Sequence, residues 1–241
     1  MLKLFLIFLF FNQLVNKESG PYTTDSCCFI DTTRKTIWYE DDFSDDLQNW
    51  IVEQVEGGIT YINKNNELEI DDIGGCTIWF KHKLKAPILI EFEVTLIHRN
   101  GENDRVSDLN CFWMAVDPNC ENMLFCKPKS GKFAEYHKFK LYYVGYGANN
   151  NTTTRFRKYI GDGTRQLLPE HDLSNPEFMN VPNKKRKIQI ISTTKCILYY
   201  CDGKKIFCYK DEDPYTEGWF AFRTVKNHMV IDNFKIYLLS E

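Results

Sequence analysis

The 241-residue chain has few residues that interrupt regular structure and no excess of one charge sign. Its 13 glycines and 8 prolines are too few for a collagen-like chain or for a protein dominated by linkers. The 30 basic residues are balanced by 33 acidic ones, which argues against a nucleic-acid binder that relies on a basic field. Because 43% of the residues are hydrophobic and the formal net charge is only -3, the composition also excludes a disordered chain.

The sequence also lacks the motifs of several enzyme classes. It contains no G-x-S-x-G, H-E-x-x-H, P-loop or G-x-G-x-x-G pattern. No paired strand carboxylates of the E-x-D-x-x-E type used in glycoside hydrolysis appear. The nine cysteines form no C-x-x-C pair, which argues against zinc, and their odd number leaves at least one thiol unpaired. Cys120 with Cys126, and Cys201 with Cys208, are candidate local disulfides.

The most continuous apolar run lies at the start of the chain, at residues 4–11, after one lysine and before polar residues. This order is typical of a secretory signal peptide, and a buried strand is the alternative. We therefore predict a signal peptide at residues 1–18, an N-terminal extension at 19–35 and one domain at 36–241. No later run is long enough for a membrane span. From the signal peptide we predict that the protein is secreted, periplasmic or at the cell surface.

Short runs rich in β-branched and aromatic residues fill the rest of the chain, with turn signals between them. Aromatic residues make up 15% of the sequence, which favours strands. Residues 88–97 alternate between apolar and polar, which predicts a strand with one buried face. Asp202 and Gly203 lie between two apolar runs and predict a tight hairpin. Since helical periodicity is weak throughout, we predict an all-β fold, a single antiparallel two-sheet sandwich.

The densest polar and aromatic stretch covers residues 140–157. In a strand, alternate residues share a face, which predicts Tyr142 and Tyr146 on one face and Tyr143 on the other. Arg155 and Arg157 are two residues apart and therefore share a face if the chain is extended. Aromatic rings, amides and paired arginines on a concave sheet suit a sugar with a carboxylate. The alternative is a solvated sheet face with ordinary cross-strand Arg–Tyr pairs.

Other polar side chains are weaker candidates. Residues 218–229 contain Arg223 and His228, with Arg223 predicted on the face of Trp219 and Ala221. Residues 103–114 contain Asn110 before an apolar strand that carries Trp113, and His98, His137 and His171 are further acid–base candidates. The acidic residues within 40–46 could hold a structural calcium ion together with Asp232, although a solvated acidic turn is the simpler interpretation.

Four segments together resemble a bacterial family of secreted domains of unknown function that belongs with the YesU-like proteins. They are LNCFWMAVDP, KLYYVGYGANNNTTTRFRKYIGDG, LLPEHDL and TEGWFAFRTVKNHMVIDNFKIY. The resemblance covers roughly residues 38–237 and implies a concanavalin A-like two-sheet jelly roll with a concave glycan groove. Such domains occur in polysaccharide-utilisation loci for acidic plant or algal glycans. Jelly rolls that look related are oligosaccharide dehydratases or lyases that act on terminal uronic acids.

These expectations combine into a secreted carbohydrate-active enzyme that performs β-elimination on uronic-acid-containing oligosaccharides from acidic polysaccharides. The predicted carboxylate ligands are Arg155, Arg157 and Arg223. Further substrate contacts are predicted from Asn110, Trp113, Tyr142 and Asn150, of which the two asparagines would hold hydroxyls or the enolate oxygen.

In β-elimination a base removes the proton beside the carboxylate and an acid protonates the leaving group. We predict Tyr146 or His228 as the base and Tyr143 or His137 as the acid. A tyrosine base needs a lowered pKa, which nearby arginine charge would supply. Two other functions stay open: a non-catalytic glycan-binding module, and a structural or envelope protein whose Tyr–Arg face contacts a partner protein.

Overall fold

A computed structural model of the protein describes residues 28, 30–124 and 126–240. The predicted signal peptide lies outside these residues, as does most of the predicted N-terminal extension. The strands are, in chain order, β1 (Lys35–Asp41), β2 (Trp50–Gln54), β3 (Ile59–Ile62), β4 (Leu68–Asp72), β5 (Cys76–Phe80), β6 (Leu84–Lys85), β7 (Ile88–Leu96), β8 (Leu109–Val116), β9 (Lys140–Gly147), β10 (Thr153–Ile160), β11 (Asp172–Leu173), β12 (Lys185–Ser192), β13 (Cys196–Cys201), β14 (Lys204–Lys210), β15 (Glu217–Thr224) and β16 (Asn227–Leu239).

Helical structure is short wherever the chain is described. It consists of 3-10 turns at Phe133–Tyr136, Pro169–His171 and Pro176–Phe178, and of one turn at Ala148–Asn151. Within the described residues, no helix has the length and apolar character needed to cross a membrane.

The strands form two antiparallel sheets that pack face to face. Sheet A has the order β14-β13-β12-β7-β16-β4-β3, and β1 also pairs with the long strand β16. Sheet B has the order β11-β10-β9-β8-β15-β5-β2, and β6 pairs with β15. This architecture confirms the predicted all-β fold, a jelly-roll sandwich of two antiparallel sheets.

The main hydrophobic core lies between the sheets, and the strand alternation read from the sequence explains it. In β7, Ile90, Phe92 and Val94 are buried in this core. Glu91 lies on the other face of the strand and binds Lys35 at 3.2 Å and Lys187 at 2.9 Å. The predicted hairpin is present too, since Asp202 and Gly203 connect β13 to β14 with positive φ angles of 51° and 76°.

The disulfides match the predicted local pairs only in part. Cys120 and Cys126 are bonded, as predicted. The predicted pair of Cys201 with Cys208 is wrong, because Cys201 is a buried free thiol on the core side of β13, and Cys208 is disulfide-bonded elsewhere. A long-range disulfide joins Cys28 to Cys196 and connects the chain before β1 to the start of β13.

Candidate functional site on the outer face of sheet B

A row of residues, polar except for one glycine, crosses the outer face of sheet B, which is the face turned away from the main core. Successive strands contribute one residue each, and each residue is the register partner of the next. We call this set the polar row; it runs Glu53, Thr77, Arg223, Asn110, Gly145, Arg155, Asp172. Directly opposed residues of an antiparallel pair point to the same face, so the register itself brings these groups together.

A second row lies beside the polar row and is apolar over most of its length. Its members are Ile51, Trp79, Ala221, Phe112, Tyr143 and Arg157, again in register from β2 to β10. It ends in the direct pair of Tyr143 with Arg157. The face therefore changes from aromatic at β5, β15 and β8 to polar and cationic at β9 and β10.

Residues 117–124 and 126–139 cover the aromatic part of this face, and we call them the covering segment. Phe133, Tyr136 and Phe139 of the segment pack in one cluster with Trp79 and Phe112 of the sheet. The ring of Phe133 stacks on Phe112 at 6.2 Å and tilts against Tyr143 at 5.6 Å. Trp79, Phe112 and Ala221 are fully buried as a result.

Glu53 fixes the covering segment to the sheet. Its Oε2 accepts hydrogen bonds from Trp79 Nε1 at 2.9 Å and from the Tyr136 hydroxyl at 2.7 Å, and its Oε1 accepts one from the Lys129 backbone N–H at 2.5 Å. Glu53 is 3% exposed, so these are charge-assisted bonds in a buried setting. Sequence reasoning did not identify Glu53, because nothing in WIVEQ distinguishes it from an exposed strand carboxylate.

Arg223 lies beneath the same segment and is 1% exposed. Its Nη1 donates to the Gly131 carbonyl at 2.5 Å and to Thr77 Oγ1 at 3.2 Å, while Nε and Nη2 have no hydrogen-bond partner among the described residues. Burial lowers the pKa of the guanidinium. The prediction that Arg223 shares a face with Trp219 and Ala221 is confirmed, but the covering segment keeps it from a ligand in solvent.

Arg155 is committed to a neighbouring carboxylate. Its Nε and Nη2 donate to the two carboxylate oxygens of Asp172 at 2.7 and 3.1 Å, which is a bidentate pair. Hydrogen bonding to Arg155 also lowers the pKa of Asp172. Arg155 and Arg157 share the outer face as predicted, but only Arg157 is free of an acidic partner among the described side chains.

The open end of the face lies at Arg157, next to the buried Tyr143. Arg157 is half-buried, and its Nη1 donates to the Arg165 carbonyl. Burial, followed by the charges of Arg155 and Arg165, lowers the pKa of Arg157 despite opposing effects of nearby tyrosines. Burial raises the pKa of Tyr143 far above its usual value, so its hydroxyl stays protonated.

Gly145 makes room for the Tyr143 hydroxyl. A Cβ atom at Gly145 would lie 2.3 Å from that oxygen, which is too close for any side chain. The hydroxyl therefore occupies the place in the polar row that a side chain at Gly145 would fill, between Asn110 and Arg155. Asn110 donates from Nδ2 to Asp108 Oδ1 at 3.4 Å, and its buried Oδ1 lacks a partner within the described part of the chain.

His137 stands at the rim of this open end. Its ring contacts Phe133 at 5.0 Å and Tyr159 at 6.4 Å. Burial and then the charge of Arg165 lower its pKa, so the imidazole is neutral near pH 7, and Nε2 has no partner in the residues described. Tyr159 is buried beside it, and burial raises its pKa to about 12. The sequence analysis missed Phe133, Tyr159 and Arg165, which reach the site through packing alone.

Three predicted site residues lie on the wrong face of sheet B. Tyr142, Tyr146 and Trp113 point into the core between the sheets and are 0% exposed. The Tyr146 hydroxyl accepts from Arg186 Nη2 at 3.2 Å, and the Tyr142 hydroxyl donates to Asp211 at 2.6 Å. The predicted pairing of Tyr142 with Tyr146 on one face is confirmed. Their placement at a ligand-binding surface is wrong, because that face is the core face.

His228 is also wrongly placed by the sequence prediction. It lies on the outer face of sheet A, opposite the core-facing Met229 in β16. Its Nδ1 pairs with Asp104 Oδ1 and its Nε2 with Glu69 Oε1, each at 2.9 Å. With both ring nitrogens engaged and the sandwich between it and Tyr143, His228 cannot act at the open end of sheet B.

Asn150 lies in the turn between β9 and β10, away from the Tyr143–Arg157 register pair. It is exposed and lies in a turn where Asn149, Asn150 and Asn151 all have φ angles between 54° and 60°. Its Oδ1 accepts from Arg105 Nη1 at 3.1 Å. Asparagine tolerates this left-handed conformation better than most residues, which explains the run of three.

The acidic turn before β2 satisfies its own backbone. Asp41 accepts from Tyr39, from the Phe43 N–H and from Trp50 Nε1, and Asp42 accepts from the Ser44 N–H. Among the described residues, no group of three or more His, Cys, Asp or Glu side chains could hold a metal ion.

Several solved structures share this fold. A Bacillus subtilis protein of unknown function with a galectin-like fold gives a TM-score of 0.65 at 15% identity, over 86% of this chain and 99% of that one. The carbohydrate-binding module CBM66 from Bacillus subtilis gives a TM-score of 0.51 at 14% identity, over 79% of this chain and 96% of that one. An endo-β-1,3-glucanase from Pyrococcus furiosus gives a TM-score of 0.52 at 12% identity, over 88% of this chain and 97% of that one. At such identities the likeness shows the fold alone.

No protein of curated function matches the sequence. The family described as "Domain of unknown function (DUF6250)" matches residues 70–234. This range includes every member of the polar row except Glu53. A domain of unknown function with a jelly-roll fold was expected from the sequence, whereas kinship with YesU-like proteins or polysaccharide-utilisation lyases stays a prediction. Because the match spans most of the described residues, the chain belongs to the DUF6250 family.

Proposed function

We propose that the open end of the outer face of sheet B binds an acidic saccharide. The observation that carries this proposal is Arg157, a half-buried guanidinium without an acidic partner among the described side chains, in register with the buried and protonated Tyr143. The guanidinium suits a sugar carboxylate, and the Tyr143 hydroxyl suits a sugar hydroxyl. Jelly-roll relatives whose names include a carbohydrate-binding module and a glucanase support a carbohydrate ligand.

Glycoside hydrolysis by the polar row does not fit the geometry. The row contains two carboxylates, Glu53 and Asp172, on the first and last strands of the ordered sheet. Strands are spaced about 4.8 Å apart, so these groups are separated by roughly 29 Å. Hydrolysis needs carboxyl groups about 5–10 Å apart, so this pair cannot serve.

The test is calorimetric titration of the protein with uronate oligosaccharides and with neutral oligosaccharides of equal length. We expect binding of the uronates, a loss of tenfold or more in Arg157→Gln, and partial retention in Arg157→Lys, which keeps the charge but loses the planar fork. Arg99→Gln is the matched control, because it removes one exposed arginine elsewhere. Equal affinity for neutral and uronate oligosaccharides, or an unchanged uronate affinity in Arg157→Gln, would contradict the proposal.

A second candidate function is β-elimination at this same place, and the neutral His137 favours it. His137 would take the proton beside the sugar carboxylate, the carbon–oxygen bond to the neighbouring group would break, and Tyr143 would protonate the leaving oxygen while a double bond forms in the ring. His137 would thus take the role of the base, which the sequence analysis predicted for Tyr146 or His228, because those two residues lie elsewhere. Secretion by the predicted signal peptide would bring such an enzyme to extracellular glycans.

Ultraviolet absorbance and mass spectrometry of the products distinguish the two candidates. A rising signal from unsaturated uronate that disappears in His137→Gln would establish elimination, and loss of water or of a sugar would separate dehydratase from lyase. Binding without any unsaturated product, across the oligosaccharide panel, would identify a binding module.

A further inference from the structure

We infer that the site takes the end of a glycan chain and excludes internal segments. This inference rests on the proposed function, because it states which part of an acidic saccharide the same site accepts. The observation behind it is the covering segment, which closes the outer face of sheet B from β5 to β9 and leaves the half-buried Arg155 and Arg157 of β10 accessible.

The segment touches the sheet backbone to backbone, so no sugar ring fits beneath it. Gly131 has φ of +86°, and a Cβ atom there would lie 2.6 Å from the Gly75 carbonyl and 2.7 Å from the Glu53 carbonyl. On the same stretch, the Gly131 carbonyl accepts the hydrogen bond from Arg223. A contact this close requires a residue without a side chain and fixes the height of the segment above β2 and β5.

The three hydrogen bonds to Glu53 hold the segment in this position. Lifting it would leave a buried carboxylate without the Tyr136 hydroxyl and the Lys129 N–H, and burial of a carboxylate without its donors is strongly unfavourable. The Cys120–Cys126 disulfide further shortens the free length of the segment. The segment is therefore a fixed wall in the groove.

Phe133 is the point at which the wall ends. Its ring lies on Phe112 and reaches Tyr143, and the Arg223 guanidinium lies 5.4 Å from it. Beyond Phe133 and the buried Tyr143 come Arg157 and Arg155, with the two-residue strand β11 at the edge. A glycan that lies across the strands can enter over β10 and β11, but it must stop at the Phe133 ring.

The test uses the unaltered protein and one acidic polysaccharide cut to several average lengths at constant mass. If chain ends are bound, the amount of protein bound per gram rises in proportion to the number of ends, and oligosaccharide affinity levels off within a few sugar units. A constant amount per gram, with affinity that keeps rising with length, would overturn the inference and leave the proposed function standing. No binding at any length would overturn both.

A variant of the wall gives a second, independent measurement. Phe133→Ala is expected to weaken binding of short uronate oligosaccharides by about tenfold, because the terminal sugar loses the ring that it meets. Phe178→Ala, at a half-buried phenylalanine before β12, is the control and should leave the affinity unchanged. Unchanged affinity in a folded Phe133→Ala protein would show that the sugar does not reach the wall, contrary to the inference.

Discussion

Replacing Glu53 by glutamine is the sharpest test of how the covering segment is held. The carboxylate accepts three hydrogen bonds, two at Oε2 and one at Oε1. A glutamine has one acceptor oxygen and one NH₂ group, so at least one of the donors then faces another donor. A buried donor without a partner costs about 1–3 kcal/mol. For a chain of this size, 1 kcal/mol corresponds to about 2–4 °C in Tm, so Glu53→Gln should lower Tm by roughly 2–12 °C.

Two measurements together check this prediction. Thermal unfolding gives the loss of Tm, and limited trypsin digestion reports on the segment, because cleavage at Lys129 and Lys132 requires it to leave the sheet. Glu40→Gln is the matched control: its carboxylate is 65% exposed and 3.5 Å from Lys235, so the change should alter stability by less than about 0.5 kcal/mol. An unchanged Tm together with wild-type cleavage in Glu53→Gln would refute the anchoring role.

Two further predictions concern the site and the opposite sheet. In Gly145→Ala the new Cβ would lie 2.3 Å from the Tyr143 hydroxyl, so the Tyr143 ring should be displaced. We expect a loss of stability of about 1–3 kcal/mol and a lower saccharide affinity in calorimetry. Unchanged affinity would disprove the role of that hydroxyl. At His228, burial opposes protonation, but the hydrogen bonds to Glu69 and Asp104 outweigh it and raise the pKa above 6.5. The charged His228 therefore stabilises the fold fully below pH 6.5, and this stabilisation is lost as the pH rises through the raised pKa. In the His228→Gln variant, Tm should fall less steeply with pH in that range than in the unaltered protein. Identical slopes for the two proteins would contradict the prediction.

The fold could be predicted because strand alternation and turn chemistry are local properties. Short strand-like runs along the whole chain, with turn signals between them and weak helical periodicity, led to the expectation of a two-sheet antiparallel sandwich. Alternation also predicted correctly that Tyr142 and Tyr146 share a face. It did not tell which face is the core, since both faces of β9 are buried: one lies against sheet A and the other under the covering segment.

The candidate site was less predictable, because its residues are assembled by register between strands far apart in sequence. Glu53, Thr77, Arg223 and Asn110 become neighbours only through three strand pairings. The covering segment has no strand pattern, and its effect depends on the close approach of Gly131 to Gly75. His228 was misplaced for a related reason: β16 belongs to the other sheet, although β15, which carries Arg223, directly precedes it in the chain.

The three predicted arginines show how context decides which candidate side chain is available for a ligand. All three lie on the outer face of sheet B, so the residue types and their spacing could not separate them. Asp172 neutralises Arg155 through a bidentate pair, and the Gly131 carbonyl and the covering segment occupy and bury Arg223. Of the three, only Arg157 combines partial exposure with the lack of an acidic partner among the described side chains. A carboxylate ligand is therefore expected at the last strands of the sheet, which is the same end that the Phe133 wall leaves open.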